Sequence, residues 1–349
     1  MKDILNYSRD DLSQWLTQKG IRPFRAKQIF KWIYIRQANS FEEMTDIGKE
    51  TRTLLEENFS IPRFHLENKE KSSDNTEKFL FKLEDEEYIE SVLIPVKDHY
   101  TLCISSQVGC AQGCKFCLTA KGGFKRNLRP SEIISQIRDI RQYLISSQNN
   151  NKIANIVFMG MGEPLANYET IVQALKVMTD ADYGLKLSEG KITISTCGLV
   201  PEMGELGLVT NANLAVSLNA TDDKTRSMLM PINNRYPLDK LLHACKTFTM
   251  RPRNKITFEY ILIDGINDTE EDAIRLCKML VPIKAKINLI PFNEHDRSDF
   301  KKPSNERVSR FLQILLDKKF TAIIRKSKGS DISAACGQLK AKLLIEKKD

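Results

Sequence analysis

The sequence lacks any apolar run near the ~20 residues needed to span a bilayer, so no membrane helix is expected. Histidine is scarce. The four present (His65, His99, His243, His295) stand singly, which removes the His pairs of common zinc sites. A second Cys-x2-Cys is missing too, and with it the paired knuckles of structural zinc. There is no repeat beyond an alternation of strand-like and helix-like stretches, and no low-complexity tract, which argues against a solenoid or a long disordered segment. No basic-plus-apolar leader opens the chain: residues 1–12 are polar and include Asp3, Asp10 and Asp11. Eight cysteines without an export signal imply a reducing cytoplasm rather than a disulfide framework.

What is present is ordinary in bulk. A chain of 349 residues suits one large domain with appendages, or two domains. Its 41% hydrophobic and 28% charged residues describe a globular protein, and a net charge of +8 leans toward a polyanionic partner. The unusual stretch is 103–117, C-I-S-S-Q-V-G-C-A-Q-G-C-K-F-C, in which Cys110, Cys114 and Cys117 form C-x3-C-x2-C. With 8 cysteines in 349 residues, the chance of the other two at fixed spacing is (8/349)², roughly 0.0005. Thiolates at this density bind soft metals, zinc or an iron–sulfur cluster. Three thiolates on a four-iron cluster leave one iron open to chelate a ligand. The spacing, with Phe116 before the last thiol, resembles the signature of radical S-adenosylmethionine (SAM) enzymes.

Along the chain, Ser8 is expected to cap a helix running to Gly20. A second helix over 25–36 places Ile29, Trp32 and Ile33 inward and Lys27, Lys31 and Tyr34 outward. That outer face is either solvated or suited to a phosphate backbone with a stacked base. Residues 68–77 carry no apolar side chain and read as a linker or turn. Stretches 79–83 and 88–94 predict a β-hairpin, with Glu90 inside its second strand. By alternation Glu90 faces solvent; buried, it would have a raised pKa and could accept a proton.

From 100 onward strands are expected at 101–105, 153–159, 191–196, 212–218, 256–263 and 286–290. Helices are expected at 131–146, 168–179, 237–249 and 268–281, then a helix at 304–318 and a strand at 320–325. This alternation predicts an α/β fold with a parallel sheet, a partial (β/α)6 barrel whose function gathers at the C-terminal strand ends. At those ends lie the triplet and M-G-M-G-E-P (159–164), where Gly162 allows close ligand approach and Glu163 offers a carboxylate. Ser195, Ser217, Asn219 and Asn293 also fall at strand ends, as small polar groups able to bind a ribose or adenine edge. Cys336 lies among small residues near the C-terminus, as an exposed nucleophile on a mobile loop would, and Cys103 lies on the first barrel strand. Cys197, Cys245 and Cys277 read as buried structural thiols.

S-S-Q-V-G-C-x3-C-x-F-C, G-M-G-E-P-L, M-P-I-N-x-R-Y (230–236), L-I-P-F-N and D-I-x-A-A-C-G-Q-L together resemble the RlmN/Cfr family of radical-SAM RNA methyltransferases. The resemblance runs from R-P-F-R-A-K-Q-I-F (22–30) to the Cys336 segment. It implies an N-terminal helical RNA-binding domain (1–70), a β-hairpin extension (71–97), a radical-SAM barrel (98–300) and a C-terminal catalytic segment (301–349). It implies a [4Fe-4S] cluster on Cys110, Cys114 and Cys117, and two SAM per turnover. Gly162, Glu163, Ser195, Ser217, Leu218, Asn219 and Asn293 match SAM-contacting positions. Cys336 matches the carbon-carrying thiol, Cys103 the thiol that resolves the protein–RNA adduct through a transient disulfide, and Glu90 the proton acceptor. The implied partners are 23S rRNA and tRNA, a flavodoxin-type electron donor and a thiol reductant, for a cytoplasmic monomer. Val108 and Pro164 look like the adenine-C2 branch, whereas Asn219 departs from the His of many relatives and cannot titrate near neutrality. The alternatives are an adenine-C8 methyltransferase and a non-catalytic, metal-stabilised RNA-binding protein. The second of these leaves Cys103 and Cys336 unexplained.

Overall fold

The computed structural model describes residues 1–149, 151–295 and 297–339; residues 340–349 of the expected C-terminal segment lie outside that set. One sheet dominates. Its strands are β1 (His65–Lys71), β2 (Glu77–Lys82), β3 (Tyr88–Val96), β4 (His99–Cys103), β5 (Lys152–Phe158), β6 (Ile192–Thr196), β7 (Asn213–Ser217), β8 (Ile256–Leu262), β9 (Ala285–Pro291) and β10 (Thr321–Ile324). They lie side by side in chain order. β1 to β4 pair antiparallel, as short turns permit, and β4 to β10 pair parallel through helical crossovers.

The crossover helices form because apolar residues recur at helical spacing. In Pro130–Ser146, Ile133, Ile137, Ile140 and Leu144 are buried against the sheet, and the Pro at its first position begins it without losing a hydrogen bond. Tyr168–Thr179, Leu238–Thr247, Glu270–Leu280 and Asn305–Asp317 fall where periodicity puts them. Val200–Val209 and the short Asp223–Leu229 were not expected. The first of these carries Pro201, Gly204 and Gly207, which weaken the helical signal.

Three expectations need correction. The barrel has a seventh parallel strand, because Asn305–Asp317 and β10 add one more helix–strand unit. The polar stretch 68–77 is a turn only over 72–76: its first part completes β1, a largely exposed edge strand whose charged side chains suit an edge. Tyr34 is not on an outer face. The helix Arg25–Phe30 continues as a π-helix over Lys31–Ile35, and that wider turn shifts the phase. Tyr34 is therefore 2% exposed while Ile35 is 38% exposed. The first helix, Arg9–Gln18, is capped as expected, by a reciprocal box between Ser8 and Asp11.

A small hairpin, Gln107–Gly109 with Phe124–Asn127, frames the cysteine triplet. Gly109 has φ +74°, and a Cβ there would lie 1.9 Å from the Gly123 carbonyl oxygen. Gly109→Ala is expected to lower the melting temperature and speed hydrogen exchange in 107–127. Wild-type exchange there in a folded variant would contradict this packing.

Candidate active site

One pocket opens at the C-terminal ends of the parallel strands, where such folds collect their chemistry. Cys110, Cys114, Cys117, Gly162, Glu163, Ser195, Ser217, Asn219 and Cys336 all line it. Gly162 sits at φ +101°, its missing side chain leaving room for Gln107, whose Cβ would lie 2.5 Å from a Cβ added there. The Glu163 carboxylate is turned into the protein. It accepts N–H bonds from Leu165 (3.1 Å) and Cys197 (2.8 Å), and burial raises its pKa. Asn219 holds φ +58°, a left-handed conformation that Asn tolerates. Its side-chain oxygen accepts from the Ile261 N–H at 2.8 Å, tying β7 to β8.

The triplet rides on the loop between the two strands of the hairpin. Cys110 N–H donates to the Gly123 carbonyl (2.9 Å) and Lys115 N–H to that of Leu229 (2.9 Å). Phe116, 8% exposed, packs among Leu229, Met230, Ile263 and Phe292, which anchors the thiols beside it. Burial pushes the Cys110 thiol up to about 12; Cys114 is raised by burial and then by Cys117 and Cys110. These thiols repel one another's charge, and a bound cation is what would make them thiolates. Among the described residues no three His, Cys, Asp or Glu side chains converge on one ion-sized point. Three cysteine sulfurs lining one pocket are a donor set that would hold an iron–sulfur cluster.

The tail reaches this site. Leu118 N–H donates to the Gly337 carbonyl (2.8 Å), Thr119 Oγ1 to that of Leu339 (2.7 Å) and Asn293 Nδ2 to that of Cys336 (3.2 Å). Cys336 is thus half-buried and tethered, not the exposed thiol of a mobile loop. Cys103, 7% exposed, packs with Val92, Met161, Ala334 and Leu339, against the same tail. Burial and then the nearby Cys336 push its thiol up to about 12, with Arg325 opposing. Glu90 is 1% exposed and pairs with buried Lys78 at 3.3 Å, so it does not face solvent. Burial comes from the tail, which covers the sheet face that alternation would expose. Glu90, Cys103, Leu218 and Asn293 do not line the triplet pocket. Leu218 is wholly buried in the core and offers backbone alone, its N–H to Glu259 and its carbonyl to Arg226.

Four residues on the site escaped the sequence reading. Cys197, read as structural, lines the pocket with its thiol engaged by Glu163. Glu259 is 6% exposed on the pocket wall, raised by burial. Its Oε1 accepts from Asn288 while Oε2 has no hydrogen-bond partner among the described residues, an acceptor that a ligand hydroxyl or ammonium would satisfy. Arg325 lies 3.8 Å from Glu259, and the neighbouring Cys336 favours its charged form. Arg226, fully buried, donates to the carbonyls of Cys197, Ser217 and Leu218, stapling the ends of β6 and β7. The acid inside β8 was the one available signal. Arg226 and Arg325 lie in segments with no motif. Cys245 and Cys277 are buried away from the pocket, as expected.

Residues 2–61 match the family model described as ribosomal RNA large subunit methyltransferase N-terminal domain, and residues 104–277 match the radical SAM superfamily. That superfamily implies a [4Fe-4S] cluster and SAM. The chain is 54% identical, over 97% of its length and 91% of the relative's, to the dual-specificity RNA methyltransferase RlmN of Desulfosudis oleivorans. It is 53% identical, over 98% and 93%, to the same-named protein of Geobacter sulfurreducens. The crystal structure of a radical SAM methyltransferase from Sphaerobacter thermophilus superposes with a TM-score of 0.91 at 38% identity, covering 98% of this chain and 100% of that one. With such identity sustained over nearly the whole length, the chain belongs to the RlmN family of radical-SAM RNA methyltransferases.

Proposed function

We propose that the protein methylates C2 of adenosine in 23S rRNA and tRNA, as a dual-specificity enzyme consuming two SAM per turnover. The observation that supports this best is the tail thiol Cys336 lining one pocket with Cys110, Cys114 and Cys117. Cys336 Sγ first takes a methyl group from one SAM by displacement, which solves the problem that an sp² ring carbon has no lone pair for the sulfonium methyl. A [4Fe-4S] cluster on the triplet supplies, when bound, the electron that turns a second SAM into a 5′-deoxyadenosyl radical able to take hydrogen from that methyl. Gly162, Glu163, Ser195, Ser217 and Asn219 bind SAM, with Leu218 acting through the strand end that its backbone bonds fix and Asn293 through the Cys336 segment that it holds. Once the carbon is joined to the ring, the adduct's unpaired electron would return to the electron-donor couple and Glu90 accepts the ring proton, which leaves a closed-shell adduct. Cys103 then attacks Cys336 Sγ: an S–S bond forms as the C–S bond breaks, and its electron pair stays with carbon, which takes a proton.

A flavodoxin-type donor and a thiol reductant complete this cycle for a monomer in the cytoplasm. No described helix is long and apolar enough to cross a membrane. Residues 1–70 serve as the RNA-binding domain, 71–97 as the hairpin that carries Glu90, 98–300 with the helix–strand unit that ends in β10 as the barrel, and the rest of 301–349 as the thiol-bearing segment. Val108 and Pro164, the residue types that resemble the C2 branch at those positions, favour C2 over C8.

Anaerobically reconstituted protein is expected to form 5′-deoxyadenosine from SAM, and mass spectrometry of digested rRNA and tRNA to find 2-methyladenosine in both. 8-Methyladenosine would contradict the target carbon, and a protein that binds no iron would contradict the chemistry. Cys103→Ala is expected to accumulate RNA crosslinked through Cys336, seen on denaturing gels. Full turnover by that variant would remove Cys103 from the mechanism.

A further inference from the structure

The proton acceptor proposed above does not stand alone. Lys78 on β2 is 2% exposed, an unusual place for an ammonium. Its Nζ lies 2.9 Å from Glu70 Oε2, 3.3 Å from Glu90 Oε1 and 2.7 Å from the carbonyl oxygen of Ile332. Three partners match its three N–H donors. Glu70 is its cross-strand neighbour on β1, and Glu90 pairs with Leu80, so Lys78 and Glu90 share one sheet face at a diagonal. Val92 and Cys103, paired to each other, extend that face. The thiol-bearing tail covers it through Ile332, Ala334 and Leu339.

Charge this deeply buried persists only where each group is matched, and Lys78 supplies the opposite charge 3.3 Å from Glu90. Its third bond falls on the tail, four residues before Cys336. The same ammonium therefore fixes both the acceptor and the register of the thiol that brings the ring to it.

We propose that Lys78 is a positioning residue for adduct release, holding Glu90 toward the tail and holding the tail, through Ile332, toward Glu90. This rests on the reading of Glu90 as proton acceptor. Cys336 methylation and SAM cleavage precede the step, so Lys78 governs release rather than these.

The test compares wild type, Glu90→Gln, Lys78→Met, Lys78→Arg and the Lys78→Met/Glu90→Gln double variant, each reconstituted and reacted with SAM and rRNA. Crosslinked RNA is read on denaturing gels and Cys336 methylation by peptide mass spectrometry. Lys78→Met is expected to raise crosslinked RNA at least about tenfold with Cys336 still methylated, the scale of loss when an acceptor is misplaced by about an ångström. Lys78→Arg restores part of release, and the double variant accumulates no more adduct than Glu90→Gln alone, since Lys78 acts through Glu90. Should Lys78→Met fail to fold, the double variant decides, because it removes both charges of the pair. Adduct in Glu90→Gln but none in folded Lys78→Met overturns the positioning role, as does a double variant that exceeds Glu90→Gln. Absence of adduct in Glu90→Gln overturns the acceptor reading itself.

Discussion

The site exists because the tail docks on the triplet loop. Thr119 and Leu339 are 220 residues apart in sequence, yet one hydrogen bond joins them, and the Leu118 N–H to Gly337 bond runs alongside. Loop-closure cost grows only slowly with length, so a few directed bonds and a small apolar cluster can hold so distant a contact. A second clasp lies on the hairpin turn. Asp331 accepts from Ser72 Oγ (2.6 Å) and Ser73 N–H (3.0 Å), and Asp74 accepts from Gly329 N–H (3.2 Å). Triplet loop and β2 hairpin thus grip the tail on either side of Cys336. The same grip brings Cys103 and Glu90 under it.

Burial sets the electrostatics. Cys103, Cys110 and Cys114 all have thiols raised by desolvation, so each needs a cation before it can react or ligate. The fold supplies fixed ones. Arg325 stands by Cys336 and Cys103, Lys78 by Glu90, and Arg226 holds backbone carbonyls at the strand ends. None of these three has an exposed surface salt bridge as its main interaction, which is why they matter despite the small worth of such bridges.

Much of this was legible in the sequence. The barrel followed from apolar periodicity, and the C-terminal strand ends followed from the barrel, so the triplet, Gly162, Glu163, Ser195, Ser217 and Asn219 could be placed on one rim. What was not legible depends on contacts between distant segments. Nothing local says that Glu90 is buried, since the tail that covers it lies far along the chain. Nor does any local signal mark Lys78 and Arg226 as buried cations, or Arg325 as a cation beside the thiols. Tyr34 was misplaced for a different reason: a π-helix breaks the 3.6-residue phase that placed it outside. Within the stretch 68–77, the turn at 72–76 was legible but the strand over 68–71 was not, because an edge strand needs no apolar residues.

The central claim is that Cys336 carries the transferred carbon beside the triplet. Incubation of reconstituted protein with methyl-deuterated SAM, followed by peptide mass spectrometry, tests it most directly. The account predicts label on the peptide containing Cys336 and then in the modified adenosine. Label in the RNA with none ever on Cys336 would contradict it.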